Sequence, residues 1–277
     1  MKWYKIENKS DKSEIWIYEM IGEDFWTGGG VTAKNFQKEL SEIKASQIDL
    51  HINSPGGDVF DGITIYNLLK QHSAKVTTYI DGLAASIASV IALAGDQIYM
   101  AENSLFMIHN PYGMVMGDSF DMRKMADTLD TVRDSISKAY ISKTGKDESE
   151  IIALMDAETW FDADDAIDFG FIDDVTEKMD MAACAKFIPI MSKAGFKHIP
   201  TFGAKNAEKA LRDAGFSRKQ AKSILAKGLS EGLRDADPEE NPENAPETPR
   251  DAEPPKPKKD RISDLLTRAE VVAPSTI

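Results

Sequence analysis

Short runs rich in β-branched residues alternate with helix-like apolar repeats through much of this sequence, and this alternation restricts the fold more than any other feature. A strand-like segment at residues 13–22 precedes an amphipathic run at 32–40, and a β-branched run at 48–52 precedes helical spacing at 59–69. Consecutive units of this kind bury their apolar faces when parallel strands lie side by side beneath helices. The sequence therefore predicts an α/β fold with a largely parallel sheet.

The most apolar stretch of the sequence, residues 82–95, follows a strand-like segment at 75–80. Its length of about 14 residues is well short of the roughly 20 that a membrane-spanning helix requires. Small apolar side chains on every side are typical of a helix enclosed by protein. We predict a turn at Asp81 and Gly82 followed by a buried central helix at 84–94, and we expect no membrane partner.

The longest helical pattern covers residues 119–144. Its apolar positions recur every three or four residues, at Met122, Met125, Leu129, Val132, Ile136 and Tyr140. A helix of about 26 residues extends ~39 Å, which is longer than the core of one small domain. Part of the apolar stripe therefore needs cover from outside the subunit, and we expect a homo-oligomer. Shorter helices are predicted at 148–155 and 162–169, with a left-handed cap at Gly170 and a strand from Phe171.

The pattern changes towards the C-terminus. We assign residues 1–180 to the folded domain, 181–234 to a weakly helical extension and 235–277 to a tail. The tail is crowded with proline and acidic residues, and it cannot bury enough apolar surface to offset the entropy lost on ordering. We therefore expect the C-terminal extension to be largely disordered.

The acidic composition excludes one large class of partners. The formal net charge is −13, so a nucleic-acid backbone or an anionic lipid surface would be repelled. We expect protein or peptide partners and no nucleic acid.

No metal-binding or nucleotide-binding motif in the sequence indicates a cofactor. The single cysteine, Cys184, cannot form an internal disulfide, and the four histidines lack the spacing of a zinc site. The sequence contains no phosphate-binding loop of the G-x-x-x-x-G-K-[ST] type. Charged residues interrupt residues 1–30 before any long apolar run, which does not fit a signal peptide. We expect a cytoplasmic location and neither a metal nor an organic cofactor.

Three short segments carry candidate chemistry: residues 52–58, 82–89 and 107–111. Each has an ordinary interpretation when it stands alone, as a turn, a closely packed helix and a structural histidine. Together they suggest acyl transfer. A serine in the first turn of a buried helix, here Ser86, lies beside unpaired N–H groups and the positive end of the helix dipole, which suits a developing oxyanion.

A serine nucleophile requires a base, because its hydroxyl is a poor nucleophile at its free pKa. His109 is the candidate, since an imidazole accepts a proton near neutral pH. His51 is expected to point elsewhere along its strand, His72 to lie at a helix end and His198 to fall in the extension. Two consecutive glycines before Asp58 would let backbone amides face the serine without obstruction by a Cβ atom.

The order and spacing of the three segments resemble the proteolytic subunit of the Clp protease family, and the similarity extends over residues 15–175. The resemblance implies repeated β-α units of the Clp and crotonase type with a long handle helix. It implies Ser86 as nucleophile, His109 as general base and the amides of Gly57 and Ile87 as oxyanion hole. Residues implied to bind substrate, in part as an added strand, are Gly56, Asp58, Pro111, Tyr112 and Gly113.

The third member of the triad is where the sequence departs from the family pattern. Family members carry an aspartate two residues before the aromatic residue that precedes the last helix. That aromatic residue is Trp160 here, and Glu158 occupies the aspartate position. Glutamate can also orient an imidazole. We predict Glu158 as the acid and keep Asp156, which lies two residues earlier and is shorter, as the alternative. The ordinary interpretation of both is a pair of solvated acidic residues at a helix end.

The ends of the chain resemble one branch of the family. Residues 1–22 show no clear equivalent of the loop by which the housekeeping subunit engages an ATPase ring, and the extension is foreign to that subunit. The layout resembles the Clp-type head maturation proteases of tailed phages and prophages. This implies heptameric rings that cleave scaffold and capsid proteins, in the host cytoplasm or within the assembling prohead.

Three other functions remain open from the sequence. One is a housekeeping peptidase that works with an ATPase partner, and another is a catalytically silent assembly or scaffold subunit. The third is an acyl-CoA enzyme of the crotonase type, which generally uses carboxylates rather than a serine and a histidine.

Overall fold

The computed structural model describes residues 2–22, 32–178, 186–193 and 195–199, together with Arg212. Eight strands lie within these residues: β1 (Tyr4–Asn8), β2 (Lys12–Ile17), β3 (Gln47–Ser54), β4 (Lys75–Ala85), β5 (Gln97–Ala101), β6 (Leu105–Ile108), β7 (Thr159–Phe161) and β8 (Asp174–Thr176). The helices in the same part of the chain are α1 (Ala33–Ser41), α2 (Val59–Gln71), α3 (Ile87–Ala92), α4 (Ser119–Thr144), α5 (Glu148–Asp156), α6 (Ala163–Phe169) and α7 (Ile188–Lys193).

The strands form one largely parallel sheet. Its main order is β1-β2-β3-β4-β5-β8, and β6 pairs with both β4 and β7. The β1–β2 and β6–β7 pairs are antiparallel, and the other pairs are parallel. The prediction of an α/β fold with a largely parallel sheet is therefore confirmed. The edge strand β1 was not predicted, because it is short and mostly polar.

The C-terminal half of β4 is buried on both faces. Leu83, Ala84 and Ala85 are fully buried, and they pair with Leu105–Met107 of β6 in parallel register. The predicted turn at Asp81 and Gly82 is therefore wrong, as is the predicted helix start at residue 84. The hydrogen-bond ladder to β6 outweighs the helical preference of the alanines, so β4 continues to Ala85 and α3 begins at Ile87.

The long helix α4 has the predicted bounds. Asp118 caps its N-terminus and forms a capping box with Asp121, and Gly145 ends it with φ of 67°. The apolar stripe is buried in the second half of the helix, as at Ile136 and Tyr140. In the first half Met125 and Leu129 are half-buried, and Met122 is exposed.

The elements after α4 largely follow the prediction. Gly170 ends α6 in the left-handed conformation with φ of 94°, as expected. The last strand begins at Asp174, three residues after the predicted start, because Phe171 and Ile172 pack in the core instead.

Part of the extension packs on the folded domain. Phe187 and Met191 of the α7 region are fully buried against Leu83, Ala85 and Met107 of the sheet. The predicted tail at residues 235–277 lies outside the described residues, and the predicted division of the chain into domains stays a prediction.

The described residues contain no candidate for a membrane-spanning helix and no candidate metal site. None of their helices is both long and apolar enough to cross a bilayer. They also contain no group of three or more histidine, cysteine, aspartate or glutamate side chains placed to hold a metal ion.

Candidate active site

Ser86 lies at the junction of β4 and α3, with φ of 55° and ψ of −133°. Non-glycine residues rarely adopt positive φ, and such strain is found most often at functional sites. The serine N–H donates to the Met107 carbonyl at 3.1 Å, which ties the junction to β6. Gly56 lies against it, since a Cβ atom there would come within 2.7 Å of the Ser86 Cβ. The serine is thus held at a strained strand-to-helix turn, as is the nucleophile of α/β-hydrolases.

His109 directly follows β6, and its Nε2 lies 2.8 Å from the Oγ of Ser86. The two side chains meet because Ala85 and Met107 are register partners in neighbouring parallel strands. The structure therefore brings the predicted nucleophile and base into direct hydrogen-bonding contact. His51, as expected, points elsewhere: its Nδ1 contacts Asp81 at 2.8 Å, and its ring stacks on Tyr79.

The environment of His109 keeps its imidazole neutral. Burial lowers the pKa of His109 to about 4, and the negative charge of Glu158 opposes this shift. A neutral imidazole is the form that accepts a proton, so the side chain is in the correct state for a base at neutral pH.

Glu158 lies between α5 and β7 with φ of 50°, and its exposed fraction is 8%. Its Oε1 accepts hydrogen bonds from the N–H groups of Lys197 at 2.7 Å and His198 at 2.9 Å. The indole N–H of Trp160 approaches the same oxygen at 3.5 Å. Within the described residues, the His109 imidazole hydrogen-bonds to Ser86, and Glu158 acts on it through its charge.

Asp156, the alternative acid, ends α5 and is exposed. Its Oδ1 accepts a hydrogen bond of 2.6 Å from the side-chain amide of Asn110. The carboxylate therefore contacts the neighbour of His109 rather than His109, and it does not contribute to the pKa shift of the imidazole. Of the two candidate acids, Glu158 is the one whose charge acts on His109.

The predicted oxyanion-hole residues flank the serine. Ile87 is the first residue of α3, and N–H groups in the first turn of a helix have no partner within the helix. Ile21 accepts from the Asp58 N–H and donates to the Gly56 carbonyl, on either side of Gly57. Gly57 has φ of 149°, and a Cβ atom there would lie 2.1 Å from the Ile21 carbonyl oxygen, so this position requires glycine.

An apolar cavity of about 420 Å³ opens beside Ser86 and His109. Its walls include Phe60 of α2 and several side chains of α4, namely Met125, Leu129, Val132 and Ile136. Four of the predicted substrate-binding residues line it: Asp58, Pro111, Tyr112 and Gly113. The carboxylate of Asp58 also caps α2 by accepting from the N–H groups of Phe60 and Asp61.

Sequence reasoning missed the residues of the extension that reach the site. The ring of Phe196 lies 5.0 Å from the imidazole of His109, and the next two residues donate to Glu158. The available signal was the apolar character of this segment, which includes Phe187, Met191 and Phe196.

The Clp protease family model matches residues 32–179, just over half of the chain. The match includes Ser86, His109 and Glu158 and ends before α7. By this match and by its fold, the chain belongs to the Clp protease family.

Proposed function

We propose that this chain is a serine endopeptidase that cleaves peptide bonds through an acyl-enzyme. The observation that carries the proposal is the 2.8 Å contact between the Ser86 Oγ and the His109 Nε2 at a strained strand-to-helix turn. Membership of the Clp protease family supports it.

In the proposed mechanism, His109 takes the proton of Ser86 as the serine Oγ attacks the peptide carbonyl carbon. The N–H groups of Gly57 and Ile87 stabilise the oxyanion that forms. His109 then gives its proton to the leaving amine, and the C–N bond breaks. Water hydrolyses the resulting ester with His109 again acting as base, which restores the serine.

Glu158 is the proposed acid of the triad. Its charge opposes the loss of basicity that burial imposes on His109, and it would stabilise the imidazolium formed during each proton transfer. Asp156 is engaged by Asn110 instead, so we assign it no part in the chemistry.

The cavity suggests the substrate class. Its apolar walls favour a large apolar side chain on the residue whose carbonyl is attacked. Exposed residues at 111–116 are free of regular secondary structure, and we propose that they pair with the substrate backbone as an added strand. Backbone pairing tolerates many sequences, so we expect specificity to depend mainly on the apolar pocket.

We further propose that the working form is a homo-oligomer, in heptameric rings as the family resemblance implies. Exposed apolar side chains support association, because Met114, Met116, Phe120 and Met122 are 45–98% exposed around the start of α4. Such a cluster is unfavourable in water unless another chain covers it.

We propose a role in phage or prophage head maturation, with scaffold and capsid proteins as substrates. The supporting observation is that the chain continues well beyond the family match, which ends at residue 179. The site would then act in the host cytoplasm or within the assembling prohead.

Covalent labelling with a fluorophosphonate tests the proposed chemistry, since only an activated serine reacts. Wild-type protein should be labelled at Ser86, and Ser86→Ala should not be labelled. Ser89→Ala is the matched control, because Ser89 lies one turn along and its hydroxyl contacts Tyr140 and the backbone carbonyl of Ser86 rather than His109. Labelling that survives in Ser86→Ala, or absence of labelling in the wild type, would reject the serine mechanism in favour of a silent assembly subunit or a crotonase-type enzyme.

A further inference from the structure

The extension packs behind the two strands that end at Ser86 and His109. Phe187 and Met191 are fully buried against Ala85, which precedes Ser86, and against Met107, which lies two residues before His109. Burial of two large apolar side chains stabilises this contact. The position of the segment relative to the site is therefore determined by packing.

A polar contact fixes the start of the same segment. Lys186 reaches the Glu19 carboxylate at 2.7 Å and the Tyr18 carbonyl at 3.2 Å, both just after β2. This contact is exposed and contributes little energy. It shows where the segment meets the residues that follow β2.

The far end of the segment reaches the acid of the triad. Lys197 and His198 donate their backbone N–H groups to the same oxygen of Glu158, Oε1, at 2.7 and 2.9 Å. The ring of Phe196 lies 5.0 Å from the imidazole of His109, measured between centroids. Glu158, His109 and Phe196 line the same depression, and the negative charge of Glu158 acts on the imidazole.

We propose that residues 195–199 are a positioning element of the active site, whose two N–H groups hold one oxygen of Glu158 so that the carboxylate stays near His109. The inference rests on the proposed peptidase function. A glutamate has one more rotatable bond than an aspartate, and fixing it costs more side-chain entropy. Two charge-assisted hydrogen bonds on one oxygen offset that cost.

The position of the segment argues against obstruction of the site. Among the described residues, those that line the apolar cavity beside Ser86 come from residues 57–140, and none belongs to the extension. Gly195, Phe196 and Lys197 line a second depression, which shares His109, Pro111 and Tyr112 with the cavity. The segment therefore supports the triad from behind and leaves the cavity open.

Proline substitution tests the role of the backbone donors in the full-length protein. Lys197→Pro removes one N–H, and Lys197→Ala removes the same side chain but keeps the N–H. We expect kcat to be about tenfold lower in the proline variant than in the alanine variant, equivalent to ~1.4 kcal/mol, with KM little changed. His198→Pro against His198→Ala repeats the comparison at the second donor, in case the first proline variant does not fold.

Two further readouts separate positioning from a merely structural effect. In a Glu158→Gln background the proline and alanine variants should have equal kcat, since the segment acts through Glu158. The pKa of His109, measured by NMR in a Ser86→Ala background, should be lower with proline than with alanine at position 197, because the carboxylate is no longer held near the imidazole.

The possible outcomes are distinguishable. Equal kcat and equal His109 pKa in the proline and alanine variants would overturn the inference, and a higher kcat with proline would show that the segment inhibits. Absence of peptidase activity and of fluorophosphonate labelling in the wild type would instead reject the proposed function. The NMR comparison still tests the contact between the segment and Glu158 in that case.

Discussion

The Oγ of Ser86 and the Nε2 of His109 lie 2.8 Å apart although the residues are separated by 23 positions in the sequence. The contact arises because β4 and β6 are parallel neighbours, so the residues that follow them emerge at the same edge of the sheet. The carboxyl ends of parallel strands are where α/β proteins usually place their functional residues. Any change that shifts the register of Ala85 and Met107 should therefore separate the two side chains.

His109→Ala should lower kcat by a factor on the order of 10⁴ to 10⁶ with little change in KM, because the general base is lost while the peptide-binding surface remains. Steady-state hydrolysis of a fluorogenic peptide would measure both constants. His72→Ala is the control, since His72 lies at the end of α2, away from the cavity. A rise in KM at constant kcat would assign His109 to substrate binding.

Glu158→Gln should lower kcat much more than Asp156→Asn. The first change removes the charge that acts on His109, whereas the second only weakens a surface hydrogen bond to Asn110. The same peptide assay compares the two variants. The opposite ranking would transfer the role of the acid to Asp156.

The pH dependence follows from the burial of His109. Its pKa is lowered to about 4, and the neutral imidazole is the catalytic form, so the enzyme should retain its base well below the pKa of about 6.5 of an exposed histidine. The pH dependence of kcat/KM reports the pKa values of groups in the free enzyme. On the acidic side, kcat/KM should therefore fall to half of its plateau at a pH between about 4 and 6.5, and nearer to 4.

Glu158→Gln should move this pH dependence in a defined direction. The carboxylate raises the pKa of His109, so its removal should shift the acidic limb to still lower pH while the plateau falls. Circular dichroism at each pH would verify that the protein stays folded. A limb at pH 6.5 or above would contradict the assignment of a buried, neutral base.

Gly57→Ala should destabilise the fold and abolish activity. The added Cβ atom would lie 2.1 Å from the Ile21 carbonyl oxygen, and moving that oxygen away would break the hydrogen bond that it accepts from the Asp58 N–H. We expect a loss of roughly 3 kcal/mol or more in the free energy of unfolding. Gly145→Ala also places a side chain at positive φ, but in open space, and should cost only about 1 kcal/mol. Urea unfolding measures both, and equal losses would show that the steric argument at Gly57 is wrong.

The sequence predicted elements well where the signal was local. The bounds of α4 were recoverable because its apolar repeat is long and because Asp118 and Gly145 mark its ends. The end of β4 was not recoverable, since residues 83–85 have the composition of a helix and are held extended by pairing with β6. Hydrogen-bond pairing between segments that are distant in the sequence cannot be predicted from the local sequence of either segment.

The residues of the candidate site, like the elements of the fold, could be predicted from the sequence only where a local motif marks them. The nucleophile and base could be proposed from ordered motifs, but the donors to Glu158 come from residues 39 and 40 positions further along. They act through backbone N–H groups, which every residue except proline carries. The side chains of Lys197 and His198 therefore gave no indication of this contact.

A charge placed on the exposed part of the α4 stripe should break the oligomer. Met122 belongs to the same apolar stripe of α4 as Ile136 and Tyr140, near the N-terminal end of the helix, and it is 45% exposed. If another subunit covers it, Met122→Glu would bury an unpaired carboxylate at the interface, at a cost of several kcal/mol. Analytical ultracentrifugation should then show dissociation at micromolar concentration, with loss of peptidase activity in parallel. Lys124→Glu is the matched control, because two residues turn the helix by about 200° and place the new charge on the opposite, exposed face. A wild-type protein that is active as a monomer, or an assembly unaffected by Met122→Glu, would show that α4 is not the interface.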